Sequence, residues 1–137
     1  MPIDASPPSE RTALRRHPER GRYDEATVHA ILDEALVAHV GVAAAGGPLV
    51  LPMAFGRVEA TLYLHGAVGN ALLRAAEHQP VCVTVTLLDG LVLARSAFHH
   101  SMNFRSVTVF GAARRVVDEG EQRLALDAIV DLSLIHI

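Results

Sequence analysis

The sequence predicts a mainly β fold with flanking helices, built from about six antiparallel strands. Three observations predict it. Short runs rich in Val, Leu and Thr recur through residues 39–117, as strands do. Gly, Pro and Asp punctuate them at turn-like intervals. Helical spacing appears only before the first run, in one short insert and after the last. Sequential strands joined by tight turns make an antiparallel sheet, and about six twisted strands tend to curl into a small barrel.

Residues 2–22 are rich in Pro, Ser, Arg and Glu, so 1–22 reads as a flexible, solvated arm. Asp24, with Thr27 as second candidate, caps a helix over about 24–37, where Val28, Ile31, Leu32, Ala35 and Leu36 recur at helical spacing. His39–Ala43 forms the first strand, Ala45–Pro48 a turn, and Val50–Phe55 a second strand whose Pro52 marks an edge or bulge. Gly56–Glu59 turns the chain into a third strand, Thr61–His65. A short helix over Gly69–His78 points Leu72, Leu73 and Ala76 inward.

Asp89-Gly90 lies between two alternating runs and predicts a two-residue hairpin turn. That register sets Thr84 opposite Arg95 and Val83 opposite Ser96. It puts Val81, Val83, Val85, Leu87, Val92, Ala94 and Phe98 in the core, with Thr84, Thr86 and Arg95 on a half-polar face. Residues 104–117 continue as a strand, and Glu121–Leu132 begin a helix. Leu132–Ile137 read like a translated sequencing-adapter frame, so 132–137 is expected to be a non-native tail on a C-terminally truncated chain. The domain is then 23–131.

Bulk properties narrow the function. The 137 residues carry a net charge of −3, and the pI is about 6.2, which disfavours a general nucleic-acid binder. No apolar run approaches the roughly 20 residues of a membrane span, and no signal core follows Met1. One cysteine, Cys82, precludes an internal disulfide and suits a reducing cytoplasm. Between two valines it reads as a small core residue. No Ser-His-Asp spacing, P-loop or paired-Cys motif is present.

The chemistry concentrates in Ser96–Ser106, which holds Ser96, His99, His100, Ser101, Asn103, Arg105 and Ser106 between apolar runs. Polar side chains at strand ends are where a rigid sheet presents a ligand site. His99 and His100 are neighbours, so on an extended backbone they point apart and no metal site is expected. Gly69-Asn70 opens a helix whose N–H groups either donate to a simple Asn70 cap or hold an anion, with Arg74 one turn on. Arg95 in an apolar strand needs a partner, whether a ligand phosphate, an acidic group or bulk water.

Four blocks together resemble a known family: Arg20–Asp24, Leu62–Ala67 (LYLHGA), Val81–Arg95 and Ser96–Gly111. Over roughly residues 15–131 the chain resembles the pyridoxamine 5'-phosphate oxidase-like FMN-binding split barrels, closest to the nitroimidazole-resistance-type and flavin-nucleotide-binding branch. The resemblance implies a split β-barrel homodimer with FMN in a groove at the interface. It implies a cytoplasmic flavin-dependent oxidoreductase of unknown substrate. Its electron donor would be a small molecule such as NAD(P)H or a reduced deazaflavin, with no nucleic acid or membrane partner. The alternatives are a non-catalytic flavin carrier or sensor, and a haem-binding split barrel with an axial His.

By the same resemblance His65 lies near the flavin and is the candidate catalytic residue, and Gly66 lets a flat ring approach closely. Asn70, Arg95, Ser96, His99, His100, Ser101, Asn103 and Arg105 complete the expected FMN contacts. Larger members hold the phosphate with basic residues that Val50–Phe55 and Val68–Ala71 lack. Lys is absent altogether, so any cationic anchor is Arg or His.

Overall fold

The structure is a computed structural model that describes residues 6–67 and 69–135. Residues 1–5 of the expected arm, Val68, and residues 136–137 of the expected tail lie outside the described residues.

The elements are α1 (Glu25–Glu34), β1 (Ala38–Ala44), β2 (Gly47–Val58), β3 (Thr61–His65), α2 (Ala71–Ala76), β4 (Pro80–Val92), β5 (Ser101–Ala112) and α3 (Glu119–Ile135). Single 3-10 turns occupy Pro18–Arg20 and Ala97–His99. The strands form one antiparallel sheet in the order β3-β2-β1-β4-β5. Asp24 caps α1 as expected, accepting from the Thr27 amide at 2.9 Å. The Thr27 hydroxyl bonds the same oxygen and holds the Asp24 carboxyl below its usual range.

The strand count is five rather than about six because Asp89-Gly90 is not a turn. β4 runs straight through it, and β5 pairs along its whole length from Pro80↔Ala112 to Val92↔Ser101. The register shifts between Leu88 and Gly90, so Asp89 is the extra residue of a β-bulge. Asp and Gly inside a strand mark bulges as well as turns, and partners at long sequence separation decide which. Thr84 therefore faces Thr108, not Arg95, and Val83 faces Val109, not Ser96. Val92 and Phe98 leave the expected core: they are 41% and 90% exposed.

Two expected turns are shorter than read. Ala44 pairs with Gly47, so Pro48 already lies in β2. β2 continues to Val58, and Glu59, at φ 51°, makes the turn. The first half of β2, Gly47–Met53, pairs with β1; the second, Ala54–Val58, pairs with β3. This switch splits the sheet. Beyond the start of β1, β2–β3 form one arm and the long β4–β5 hairpin the other.

Alternate residues face inward. Val40 and Val42 of β1, Met53 and Phe55 of β2, Val83 and Val85 of β4 and Val107 of β5 pack with Ile31 and Leu32 of α1, Leu72 and Ala76 of α2 and Leu132 of α3. α3 packs on the other face of the β2–β3 arm, where Tyr63, Ala125 and Ile129 form a second cluster, and its Leu132 reaches the first. Tyr63 donates to Glu121 at 3.0 Å; burial, and then that carboxylate, push its phenol up.

Candidate functional site

Two groups of the expected site residues take shape, on different arms of the split. The first is the corner between β3 and α2. His65 ends β3, opposite Ala54, and is exposed. Gly66 follows, packed so closely under α2 that a Cβ there would lie 2.9 Å from Leu73 Cδ1 and 3.1 Å from Asn70 Nδ2. Asn70 caps α2: its Oδ1 accepts from the Leu72 and Leu73 amides at 2.9 and 3.2 Å. That spends the oxygen and two helix donors, and leaves the Asn70 Nδ2 donor beside Gly66. Arg74 donates through Nη2 to the Gly69 carbonyl at 3.0 Å. A guanidinium has five N–H donors, and among the described residues no carboxylate pairs with Arg74. The corner thus presents donors able to hold an anion, and His65 is exposed at the end of the strand that leads into it.

The second group is the tip of the β4–β5 hairpin. Arg95, Ser96, His99 and His100 lie in the connection, and all are exposed. Ser101 and Asn103 belong to β5, opposite Val92 and Gly90. His100 Nε2 lies 2.9 Å from the Ala94 carbonyl, and the His99 ring meets Phe98 edge-on at 5.4 Å. Three strands lie between β3 and β5 in the sheet order, so one chain does not bring the corner and the tip together.

Arg105 stands apart from both groups. Its Nε and Nη2 donate to Asp89 at 2.9 and 2.8 Å, and its Nη1 and Nη2 to Glu34 at 2.8 and 2.9 Å. It ties the bulge to α1, and four of its donors are already spent. Asp89 stands two residues after Leu87, the strand partner of Arg105, so strand alternation sets both on one face. The Arg105 hydrogen bonds hold the Asp89 carboxyl below its usual range. A depressed carboxylate contributes stability that is present above its unfolded pKa, about 3.9 for Asp, and is lost as pH falls through the folded value. Wild type is therefore expected to lose Tm below about pH 4 more steeply than Arg105→Gln, in melts from pH 7 to 3. Parallel curves would remove the ion pair from the account of stability.

Sequence reasoning passed over His39. It lies on the outer sheet face between Pro52 and Thr84, the face to which the Ala54–His65 pair also belongs. Strand alternation and the β1–β2 register together reveal this; neither does alone. Among the described residues no group of three or more metal-ligating side chains forms, and no helix is long and apolar enough to cross a membrane.

A family model described as pyridoxamine 5'-phosphate oxidase matches residues 24–135. The flavocytochrome Anf3 from Azotobacter vinelandii is 44% identical at a TM-score of 0.85, over 93% of this chain and 60% of that one. An FAD and haem binding protein from Mycobacterium smegmatis is 37% identical at 0.73, over 81% of this chain and 54% of that one. A protein assigned by its description to 5-nitroimidazole antibiotic resistance as a candidate, from Bacteroides thetaiotaomicron VPI-5482, is 30% identical at 0.65, over 81% and 67%. The chain thus spans less than two thirds of the first two structures. No curated protein matches it.

Proposed function

We propose a flavin-holding redox role for this chain, which belongs to the pyridoxamine 5'-phosphate oxidase family, with FMN as the flavin and the β3–α2 corner as its anchor. The observation that carries the proposal is the corner itself: Asn70 Nδ2 lies beside Gly66, Arg74 bonds the Gly69 carbonyl, and the exposed His65 ends the strand that leads into them. The residues fit the cofactor's needs. Arg74 and Asn70 Nδ2 supply donors for a phosphate in place of the absent lysine, and Gly66 keeps side-chain bulk away. When bound, a flavin supplies two-electron chemistry, while the protein supplies binding, orientation and electrostatics. His65 holds or delivers the proton that accompanies those electrons.

The site is shared between two copies. Corner and tip lie on opposite arms, so a pocket containing both needs a second chain. The hairpin also exposes Leu88, Leu91, Met102 and Phe104, each more than half accessible. Their pairing, Leu88↔Phe104 and Leu91↔Met102, sets them on one face, and a contiguous apolar patch of this kind marks an interaction surface. A homodimer covers it and delivers Arg95, Ser96, His99, Ser101 and Asn103 to the partner's corner. A small electron donor or substrate, such as NAD(P)H or a deazaflavin, then meets the open flavin face.

FMN titration tests the anchor. A charged hydrogen bond contributes about 1.5–3 kcal/mol, so Arg74→Ala is expected to weaken FMN about tenfold to a hundredfold and leave riboflavin unchanged. Asn70→Ala is expected to weaken FMN less, and His65→Gln to retain it while slowing turnover. Equal affinity for FMN and riboflavin in wild type would sink the phosphate anchor.

A haem reading has its own support. The tip carries the adjacent His99 and His100, and two of the similar structures are a flavocytochrome and an FAD and haem binding protein. Under this reading His99, whose ring makes only the Phe98 contact among the described residues, is the axial ligand.

A further inference from the structure

Two arms that leave one sheet need something to set the angle between them. The β1–β4 pairing ends at His39↔Thr84, while β4 runs on to Val92. The β4–β5 arm therefore leaves the sheet as a two-stranded ribbon about 26 Å long at ~3.3 Å per residue. None of the residues 86–106 is buried, and a two-stranded ribbon has little stability of its own. The β2–β3 arm is also two strands wide, from Ala54↔His65 to Val58↔Thr61.

α1 ends where the arms part: Glu34 is its last residue, and β1 starts at Ala38. It ends on two acidic residues, Asp33 and Glu34, with no basic residue in its last turn. A helix C-terminus disfavours carboxylates, and adjacent like charges repel. Local preference opposes this pair, so its partners must account for it. Asp33 accepts two hydrogen bonds from Arg57, from Nε at 2.7 Å and from Nη2 at 2.6 Å. Glu34 accepts two from Arg105, at 2.8 and 2.9 Å.

The two arginines stand on different arms. Arg57 lies in the β2–β3 arm opposite Leu62, and its Nη1 donates to the Glu59 carbonyl at that arm's turn, at 2.7 Å. Arg105 lies in the β4–β5 arm opposite Leu87 and also holds the Asp89 bulge. Strand alternation puts Arg57 on the face of buried Phe55 and Arg105 on the face of buried Val107, the inner face against which α1 packs. Consecutive helix residues diverge by about 100°, so one carboxylate reaches each arm.

We propose that Asp33 and Glu34 form a crossbar that fixes the angle between the arms, and that Arg57 and Arg105 are positioning residues for the flavin site. The inference rests on the shared site proposed above. The corner belongs to one arm and the tip to the other, so the angle between the arms shapes the pocket that two chains build. A crossbar holds only while both ends are attached. Losing either ion pair frees the angle, and losing both frees it little further.

The test compares Asp33→Asn, Glu34→Gln and the double variant. Cys82→Ser removes the one cysteine, and nitroxides are placed at Thr61→Cys and Leu93→Cys, both exposed, one on each arm. Labelled chains are diluted into excess unlabelled protein, and the distance between labels is measured by pulsed electron resonance without flavin. The wild-type crossbar is expected to give a narrow distribution. Each single variant is expected to broaden it as much as the double does, with a melting point near wild type, because exposed ion pairs add little stability. In the unlabelled protein, FMN affinity is expected to fall about tenfold in each single variant, at the low end of coupling between separated sites, and little further in the double. A narrow distribution in either single variant would overturn the proposal. So would broadening that adds up in the double, which would mark two independent local ties, or a melting point that collapses, which would mark a role in folding. Broadened distances with unchanged FMN affinity would overturn the positioning role. If the wild type binds no FMN, the flavin reading falls, and the distances alone still decide the crossbar.

Discussion

Gly56→Ala is expected to pry α3 from the sheet and to cost about 3 kcal/mol, the upper end of what overpacking usually costs. Gly56 lies on the outer face of β2, directly under α3. A Cβ there would lie 2.7 Å from the Ile129 amide nitrogen and 2.8 Å from the Ala128 carbonyl carbon. Both neighbours are backbone, so no rotamer change relieves the clash and the helix itself must move. Its other ties on that arm are the Tyr63–Ala125–Ile129 cluster and the Tyr63–Glu121 hydrogen bond. Hydrogen exchange distinguishes helix release from global unfolding: amides of 119–135 should lose protection well before those of β4. Uniform loss would mean that α3 and the sheet unfold as one unit, and unchanged protection would mean that the contact is looser than described.

Phe55→Ala, one residue earlier, is expected to be costlier still and for the opposite reason. Phe55 points to the inner face, is 1% exposed and is among the largest fully buried side chains. It packs in one cluster with Leu72 of α2, Val85 of β4 and Leu132 of α3. Truncation leaves a cavity those elements cannot all close, and such changes cost about 3–5 kcal/mol. Domains of this size have on the order of 5–15 kcal/mol in total. Denaturant unfolding should show a large drop in midpoint with little change in slope. A loss under about 1 kcal/mol would mean that the core collapses around the gap more easily than its packing implies.

These adjacent residues also show what the sequence could carry. The β class, the capped first helix, β3 at Thr61–His65 and the inward Leu72 and Ala76 follow from local pattern. Gly56 was legible only as a turn, because a close approach between a helix and a strand 70 residues apart leaves no local mark. Asp89-Gly90 has the chemistry of both a hairpin turn and a bulge, and only the length of β5 decides between them. That decision also moved Arg105, whose sequence reads as an anion anchor and whose structure gives it two carboxylates. At the site, the polar density around 96–106 reads as a ligand-contacting segment, and the structure shows Arg95, Ser96, His99 and His100 exposed at the hairpin tip. It could not reveal that the tip and the β3–α2 corner stand on separate arms, since that follows from β2 changing partners at Met53–Ala54.

The central claim is that this fold holds a flavin. The most direct measurement is the visible absorption spectrum of the purified protein after incubation with an equimolar mixture of FMN and haemin and removal of unbound cofactor. The account predicts the two-banded flavin spectrum, retained through gel filtration at the elution volume of a dimer. A Soret band without flavin absorption would contradict it and leave the haem reading in its place, and a colourless protein would contradict both.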